Sequence, residues 1–191
     1  MRKALFVLII ILAMGGVLYY YVRSLNESSE ESSSIYLTDK RVLELSKEES
    51  EIETFVLTIK ENPSQVLKMN NLIRKMVYSG IYSDEEVESL VKLQRSLFHE
   101  ELLKINSEQA HQLLVRNELN QWAEAGYKII GSDYLPPEYI GDKNQNAAFK
   151  VVFYTNDPSR DIYVRYALVK NEDELWEIIG WVPIEPFEIV K

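Results

Sequence analysis

The sequence contains no cysteine among its 191 residues. This absence excludes disulfide bonds, thiolate metal sites and cysteine nucleophiles together, and it also excludes the lipoprotein anchor, which needs a cysteine just after an apolar leader. Glycine is scarce as well, and none of the seven glycines forms the glycine-rich loop that binds phosphate groups. A domain formed by this chain must therefore be stabilised by packing alone, and the sequence predicts no cofactor.

Histidine is nearly as rare, with two residues in the whole chain. His99 and His111 lie twelve positions apart on helical segments, so they do not form the i, i+4 pair that holds a metal ion on one helix face. We expect both side chains to lie on solvated helix faces. The segment Asp142–Asn146 begins like a calcium loop, but Ala147 replaces the glycine of the sharp turn and Phe153 replaces the bidentate glutamate. The sequence thus predicts no metal site.

One long apolar run is present, Ala4–Val22, nineteen residues without a charge, a proline or an asparagine. As a helix it would be close to 30 Å long, roughly the thickness of the hydrocarbon core of a bilayer. The alternative is a cleaved signal peptide, whose apolar region is typically about 7 to 15 residues long and ends in small residues. Here the run continues through Tyr19–Tyr21, and such aromatic residues suit the headgroup layer. We interpret the run as a single membrane span.

Charge is distributed unevenly around this run. Arg2 and Lys3 precede it and a glutamate-containing segment follows Arg23, so the positive-inside rule places the N-terminus in the cytoplasm and the C-terminal part outside. Removing these three from the 21 basic residues leaves 18 against 30 acidic residues, a net charge of −12 beyond the span. Because nucleic-acid binding needs clustered Lys and Arg, we expect a single-pass protein of the cell membrane with no nucleic-acid partner.

The chain divides into three parts where the composition changes. Residues 1–23 form the cytoplasmic tip and transmembrane helix, and residues 24–34 hold six serines and three glutamates. Such a segment cannot bury apolar surface, so we interpret it as an extended stalk. Residues 35–191 suffice for one extracytoplasmic domain with a substantial core. Within the first part of that domain, Ile35–Lys60, a helical period is visible only around Glu48–Ile59.

Three further predicted helices carry clear start and stop signals. A capping asparagine and a proline at the first helical position open the first, Asn62–Gly80. Ser83 and Glu86 form a capping box at the start of the second. A glycine ends the third, Ser107–Gly126. The apolar stripe predicted for this third helix consists of Leu113, Leu114, Leu119 and Trp122.

Beyond Tyr127 the apolar period changes from that of a helix to two, which is typical of strands. The four predicted strands are Lys128–Ser132, Phe149–Tyr154, Ile162–Leu168 and Leu175–Val182. Turn residues at 156–159 and 171–174 connect the last three of them into an antiparallel meander. Helices followed by antiparallel strands indicate an α+β fold, with the helices packed on one face of a curved sheet of about four strands.

The closing strand Leu175–Trp181, together with the order of helices and then a curved sheet, resembles the nuclear transport factor two-like cone fold over roughly Pro63–Pro183. The segments Asn62–Val66, Tyr78–Glu86 and Phe98–Asn106 are more closely similar to an uncharacterised family of single-span membrane proteins from Gram-positive bacteria. The sequence departs from cone-fold enzymes, since adjacent strands lack their His/Asp pair. The resemblance therefore implies a cone-shaped extracytoplasmic domain without implying a reaction.

A cone fold can enclose a pocket that is mostly apolar with a few polar anchors. The candidate pocket or interface residues are Tyr163, Arg165, Tyr166, Trp176 and Trp181. The pattern favours the alternative that these are ordinary strand residues, because tyrosine and tryptophan are common in strands and cross-strand aromatic pairs stabilise sheets. Trp176 and Trp181 lie five positions apart and, at a period of two, are expected on opposite faces of the sheet. Glu177 and Asp133 are candidate bases if they are buried near these residues.

Three functions from different classes are compatible with these features. The first is a membrane-anchored interaction module that assembles with itself or with another envelope protein, as the resemblance to single-span cone domains implies. The second is a binding domain for a small or wall-derived ligand. The third is a small isomerase-like or dehydratase-like enzyme. An exposed apolar patch favours the first, whereas a deep pocket with a buried carboxylate favours the third. The sequence assigns no catalytic residue.

Overall fold

A computed structural model describes residues 37–141 and 144–189. The elements of this part are the helices α1 (Asp39–Lys47), α2 (Glu49–Lys60), α3 (Pro63–Val77), α4 (Asp84–Arg95), α5 (Glu100–Ile105) and α6 (Glu108–Ala125), followed by the strands β1 (Ile129–Tyr134), β2 (Glu138–Ile140), β3 (Asn146–Thr155), β4 (Ile162–Lys170) and β5 (Trp176–Pro183). A short 3-10 helix, Pro158–Arg160, connects β3 to β4. The fold is therefore α+β, as predicted, with helices and a curved antiparallel sheet.

The predicted membrane span Ala4–Val22 and the stalk at 24–34 lie outside the described residues. Within residues 37–141 and 144–189, no helix combines the length and the hydropathy needed to cross a bilayer. The described residues all belong to one compact unit of the chain. Helices occupy most of the ambiguous stretch Ile35–Lys60, where α1 precedes the predicted α2.

The predicted helix starts are confirmed at atomic detail. The Asn62 side chain accepts a hydrogen bond from the backbone N–H of Ser64 at 2.8 Å, and Pro63 occupies the first turn of α3. Both halves of the capping box at α4 are present, since Ser83 Oγ accepts from the N–H of Glu86 and the Glu86 carboxylate accepts from the N–H of Ser83. These bonds satisfy backbone donors that would otherwise lack partners at a helix start.

The sheet has the strand order β1-β3-β4-β5, and the short β2 pairs with the other end of β3. The pairings between these strands are antiparallel, and an isolated parallel bridge joins Phe98 to Ile178 of β5. The four predicted strands are present, and the three-residue β2 is the one strand of the described residues that the sequence pattern does not predict. The sheet residues that form the buried core include Phe149, Val151, Phe153, Val164, Tyr166, Leu168 and Ile178. Alternate positions of β3 and β4 thus form one continuous apolar face, as a period of two requires.

A β-bulge in β5 makes one prediction about the tryptophans wrong. Leu168 pairs with Ile178, whereas Ala167 pairs with Gly180, so one residue of β5 is extra. Such an insertion reverses the alternation of side chains beyond it. Trp176 pairs with Lys170 and Trp181 pairs with Tyr166, and these two β4 residues lie on the same face. The two tryptophans therefore share a face of the sheet.

The face of α6 was also predicted wrongly. The buried residues of this helix are His111 and Val115, whereas Leu113 and Leu114 are 61% and 56% exposed. Leu119 and Trp122 of the predicted stripe are partly buried. The helix packs against the rest of the domain through positions 111, 115 and 122. Leu113 and Leu114, on the adjacent side of the helix, face solvent. The prediction that His111 lies on a solvated helix face is therefore wrong. His99 is the N-cap residue of α5, and its ring accepts a hydrogen bond from the backbone N–H of Glu101.

Candidate functional site

A cavity of about 140 Å³ lies among α3, α4, α6 and β5. The residues that line it are Arg74, Val77, Tyr78, Gln94, Asn106, His111, Leu114, Val115, Glu118 and Trp181. Its volume is close to that of an engineered cavity of about 150 Å³ that holds benzene. The wall combines apolar side chains with a guanidinium, an imidazole, amides and a carboxylate, which is the usual composition of a small-molecule site.

Local helix geometry places most of these side chains. Positions 74, 77 and 78 at the end of α3 lie three and four apart, and positions 111, 115 and 118 of α6 do the same, so each set covers one helix face. Gln94 comes from the last turn of α4, and Asn106 follows the end of α5. The β5 bulge turns Trp181 towards the face that carries Tyr166, and their ring centroids lie 5.8 Å apart. The bulge thus contributes a wall of the cavity.

The Arg74 guanidinium is the cation of the cavity wall. Its central carbon lies 5.1 Å from the ring centroid of Phe153 and 5.6 Å from that of Tyr78. Nη1 donates a long hydrogen bond of 3.4 Å to the Tyr166 hydroxyl, while Nε is shielded from solvent and has no hydrogen-bond partner in the described part of the chain. None of the ion pairs found among residues 37–141 and 144–189 includes Arg74. The charge is held by aromatic faces rather than by a carboxylate.

Tyr78 joins the inner wall to the rim of the cavity. Its hydroxyl donates a hydrogen bond to the carboxylate of Glu118, an exposed residue of α6. Burial raises the pKa of Tyr78, and this hydrogen bond raises it further although Arg74 opposes the shift. The phenol is therefore a protonated donor at physiological pH. Its ring packs on Trp122 at a centroid distance of 5.0 Å, which fixes its orientation.

His111 is the second polar group of the cavity without a partner. The residue is 8% exposed, and its Nδ1 atom is shielded and forms no hydrogen bond with any described residue. Burial lowers the pKa of His111, and the positive charge of Arg95 lowers it further while Glu118 opposes the shift. The ring is therefore neutral at pH 7 and offers one donor nitrogen and one acceptor nitrogen.

Of the five predicted site residues, one lines this cavity and a second contacts a residue of its wall. Trp181 lines it, and Tyr166 holds Arg74. Trp176 is buried elsewhere, near Tyr139 and Lys170.

The other two predicted residues, Tyr163 and Arg165, lie on the opposite face of β4. The ring centroids of Tyr163 and Phe187 lie 5.5 Å apart, and Arg165 forms an ion pair with Glu138 at an N–O distance of 3.0 Å. Both side chains therefore point away from the cavity.

The two predicted bases lie outside the cavity. Glu177 is buried, but its carboxylate binds the Lys60 ammonium at 2.7 Å and the Asn171 amide at 3.1 Å. Asp133 accepts a hydrogen bond from the Tyr154 hydroxyl at 3.2 Å. Among the described residues, no three His, Asp or Glu side chains come together as a metal site. These carboxylates are held by structural partners.

Sequence reasoning missed Arg74, His111, Gln94 and Glu118. One signal was available in α3, where the polar residues Asn70 and Arg74 lie four apart beside the apolar stripe and thus share a helix edge. Asn70 is buried and accepts a hydrogen bond from Gln94 Nε2 at 2.8 Å. A polar line beside an apolar stripe indicates a buried polar network, which the apolar residues alone do not reveal.

A second depression of about 580 Å³ lies at the edge of β5, near Phe98, His99 and Lys170. It is wider and more open to solvent than the cavity. The ion pair between Lys60 and Glu177 forms part of its wall. Because these charged groups bind each other, the smaller cavity is the stronger candidate site.

The chain belongs to a family described as a domain of unknown function, DUF6715, whose profile matches residues 1–181. The prediction of a family without an assigned function is confirmed. The matched range includes the apolar run Ala4–Val22 and ends within β5. No curated protein and no solved structure matches the chain.

Proposed function

We propose that this protein is a membrane-tethered, extracytoplasmic binding domain that takes a small polar molecule into the cavity among α3, α4, α6 and β5. The observation that carries this proposal is the state of Arg74, a guanidinium at the cavity wall with an unpaired, shielded Nε and no ion-pair partner in the described part of the chain. A shielded charged donor without a partner destabilises a fold, so its presence at a cavity favours a ligand that supplies the missing acceptor.

The tether and the location rest on the sequence. The run Ala4–Val22 has the length of one span, and the charges at Arg2 and Lys3 favour a cytoplasmic N-terminus. A reporter fused after Lys191 is accordingly expected to be active only outside the cytoplasm. Protection of the C-terminal domain from protease in intact spheroplasts would contradict this topology.

A cone-like fold and a Gram-positive envelope remain part of the same proposal. Helices that precede a curved antiparallel sheet, with a cavity between the two layers, are what a nuclear transport factor two-like domain would have. Such a cavity suits a ligand of the cell envelope, because the tethered domain would lie among wall and membrane components. The cavity and its place in a tethered domain support a binding role, which needs no catalytic group.

The proposal is tested by closing the cavity. Leu114 lines it and is exposed, so Leu114→Trp should fill its mouth, whereas Leu113→Trp places the same ring on the outer side of the same helix as a matched control. Small carboxylates, amides and alcohols should be titrated into the full chain in lipid nanodiscs, with tryptophan fluorescence as the readout. Saturable binding should be seen in the parent and in Leu113→Trp and be lost in Leu114→Trp. Equal binding by both variants would contradict the proposal.

A second candidate function, the interaction module, is favoured by one observation. Ile105, Leu113 and Leu114 are exposed where α5 leads into α6, and α6 buries only two of its eighteen residues. A second copy of the chain or an envelope protein would cover such apolar side chains. Light scattering of the full chain in nanodiscs, with and without Leu113→Asp, tests assembly with itself. A parent protein that stays monomeric at every concentration would exclude it.

A further inference from the structure

We infer that the ligand of the cavity carries one carboxylate group, which the free edge of the Arg74 guanidinium binds. This inference rests on the proposed function and specifies the chemical class of its ligand. It depends on three features of the cavity: the donor geometry of Arg74, the charges that surround it, and the volume left for the remainder of the ligand.

The donor geometry favours a planar, two-oxygen acceptor. Within the described residues, Nη1 supplies the only hydrogen bond of the Arg74 guanidinium, and it goes to Tyr166. The N–H groups of Nε and Nη2 point the same way in a guanidinium, so this edge has two parallel donors without acceptors in the described part of the chain. A carboxylate accepts such a pair in two short, charge-assisted hydrogen bonds. The rings of Tyr78 and Phe153 hold the guanidinium in place before a ligand arrives.

The charges around the cavity favour a single negative charge on the ligand. Arg74 is the one Lys or Arg side chain among the lining residues, whereas Arg95 lies outside the wall and its Nη1 donates to the Asn106 carbonyl at 2.9 Å. The one carboxylate of the lining is Glu118, which already accepts from the protonated Tyr78. One monoanion therefore suffices to pair with Arg74. A dianion would leave an excess negative charge in a partly desolvated site.

The volume of the cavity sets the size of the ligand. About 140 Å³ suffices for a molecule with roughly the six non-hydrogen atoms of benzene, since a cavity of about 150 Å³ holds that ring. Val77, Val115 and Trp181 provide an apolar wall for a short carbon chain. The side chains of Gln94 and His111 can bind one further polar substituent. A short-chain carboxylate such as butyrate, with six non-hydrogen atoms, is therefore a suitable probe.

The inference is tested with three probes on the full chain in lipid nanodiscs: butyrate, its neutral analogue butyramide, and inorganic phosphate. Butyrate and butyramide match in shape and differ in charge. We expect butyrate to bind at least about 10-fold more tightly than butyramide and phosphate, because a charge-assisted bidentate pair replaces a neutral contact. Empty nanodiscs serve as the control for partition of the probes into lipid.

Variants of Arg74 identify the binding group. Arg74→Lys keeps the positive charge but loses the paired donors, so butyrate affinity should fall at least about 10-fold while butyramide binding changes little. If this variant does not fold by circular dichroism, the comparison of butyrate with butyramide on the parent chain still decides the question. Tyr166→Phe serves as a milder second variant, because it removes only the hydroxyl that holds Nη1.

The outcomes separate this inference from the function on which it rests. Equal binding of butyrate and butyramide, both lost in Leu114→Trp, would overturn the carboxylate and leave a small-molecule site. Phosphate binding as tight as that of butyrate would overturn the single carboxylate. Absence of saturable binding by every probe, including the amides and alcohols of the broader panel, would overturn both and indicate a cavity that holds only water.

Discussion

Replacing Glu177 by glutamine should destabilise the domain by about 3 to 5 kcal/mol, the cost of breaking a buried ion pair by removing one partner. The Glu177 carboxylate lies 2.7 Å from the Lys60 ammonium, and the two side chains are only 11% and 12% exposed. It also accepts a hydrogen bond from the Asn171 amide at 3.1 Å. The neutral amide of the Glu177→Gln variant would leave the Lys60 ammonium in a poorly solvated position without a counter-charge.

The size of the effect can be followed by urea and thermal unfolding. A loss of about 1 kcal/mol lowers the melting temperature of a domain of 150–250 residues by roughly 2 to 4 °C, so the expected decrease is on the order of 10 °C. Removing both charges with Lys60→Met and Glu177→Leu should restore most of this loss, because no unpaired charge remains. Glu88→Gln is the matched control, since the Arg116–Glu88 pair is 57% and 49% exposed and should contribute less than about 1 kcal/mol.

A loss below about 1 kcal/mol for Glu177→Gln would refute this reasoning, because it would show that water reaches Lys60 or that the ammonium finds another partner. A double variant that is as unstable as the single one would also contradict it, since the cost would then come from packing. Either result would make Glu177 a candidate functional carboxylate again, because the ion pair with Lys60 would no longer explain why this residue is buried.

Three further predictions concern the described helices and strands. Ser83→Ala should cost about 1 kcal/mol of unfolding free energy in urea, because it removes the acceptor of the capping box. Trp176→Ala should cost about 3 to 5 kcal/mol because Trp176 is buried, and Trp181→Ala should cost less since Trp181 is only partly buried. Burial lowers the pKa of His111, so the stability this residue contributes is present above its unfolded pKa of about 6.5 and is lost as the pH falls through its folded pKa. The melting temperature of His111→Asn should therefore fall less steeply between pH 7.5 and pH 5 than that of the parent, and equal slopes would contradict a contribution from His111.

Features fixed by local chemistry could be predicted from the sequence. The helix starts at Asn62 and Ser83 depend on side-chain acceptors within two or three residues, and no distant contact is needed to form them. The alternation of the strands likewise follows from burial of one face, so the sequence alone predicts β3 and β4. The α+β class followed from the order of these elements.

Features decided by tertiary packing could not be predicted. The β5 bulge leaves one weak signal, Gly180, since a glycine inside a strand often marks a bulge. The apolar pattern does not reveal it, because Ile178 and Ile179 are both apolar and fit either face. On α6 the leucines at 113 and 114 compete with the line through His111 and Val115, and hydrophobicity favours the wrong pair. The cavity depends both on the β5 bulge and on which face of α6 is buried. Sequence reasoning therefore found Trp181 as a candidate residue but neither its correct face nor its polar neighbours.

The position of Leu114 links the two candidate functions. This side chain lines the cavity and is also more than half exposed on the outer surface of α6, beside Leu113. A partner that covered the two leucines would therefore cover part of the cavity mouth as well. Ligand and partner would then affect each other's binding by the same factor, since coupling between two sites is reciprocal. If the chain assembles through α6, butyrate should bind with different affinity to the assembled and the monomeric forms, and equal affinities would place the interface elsewhere.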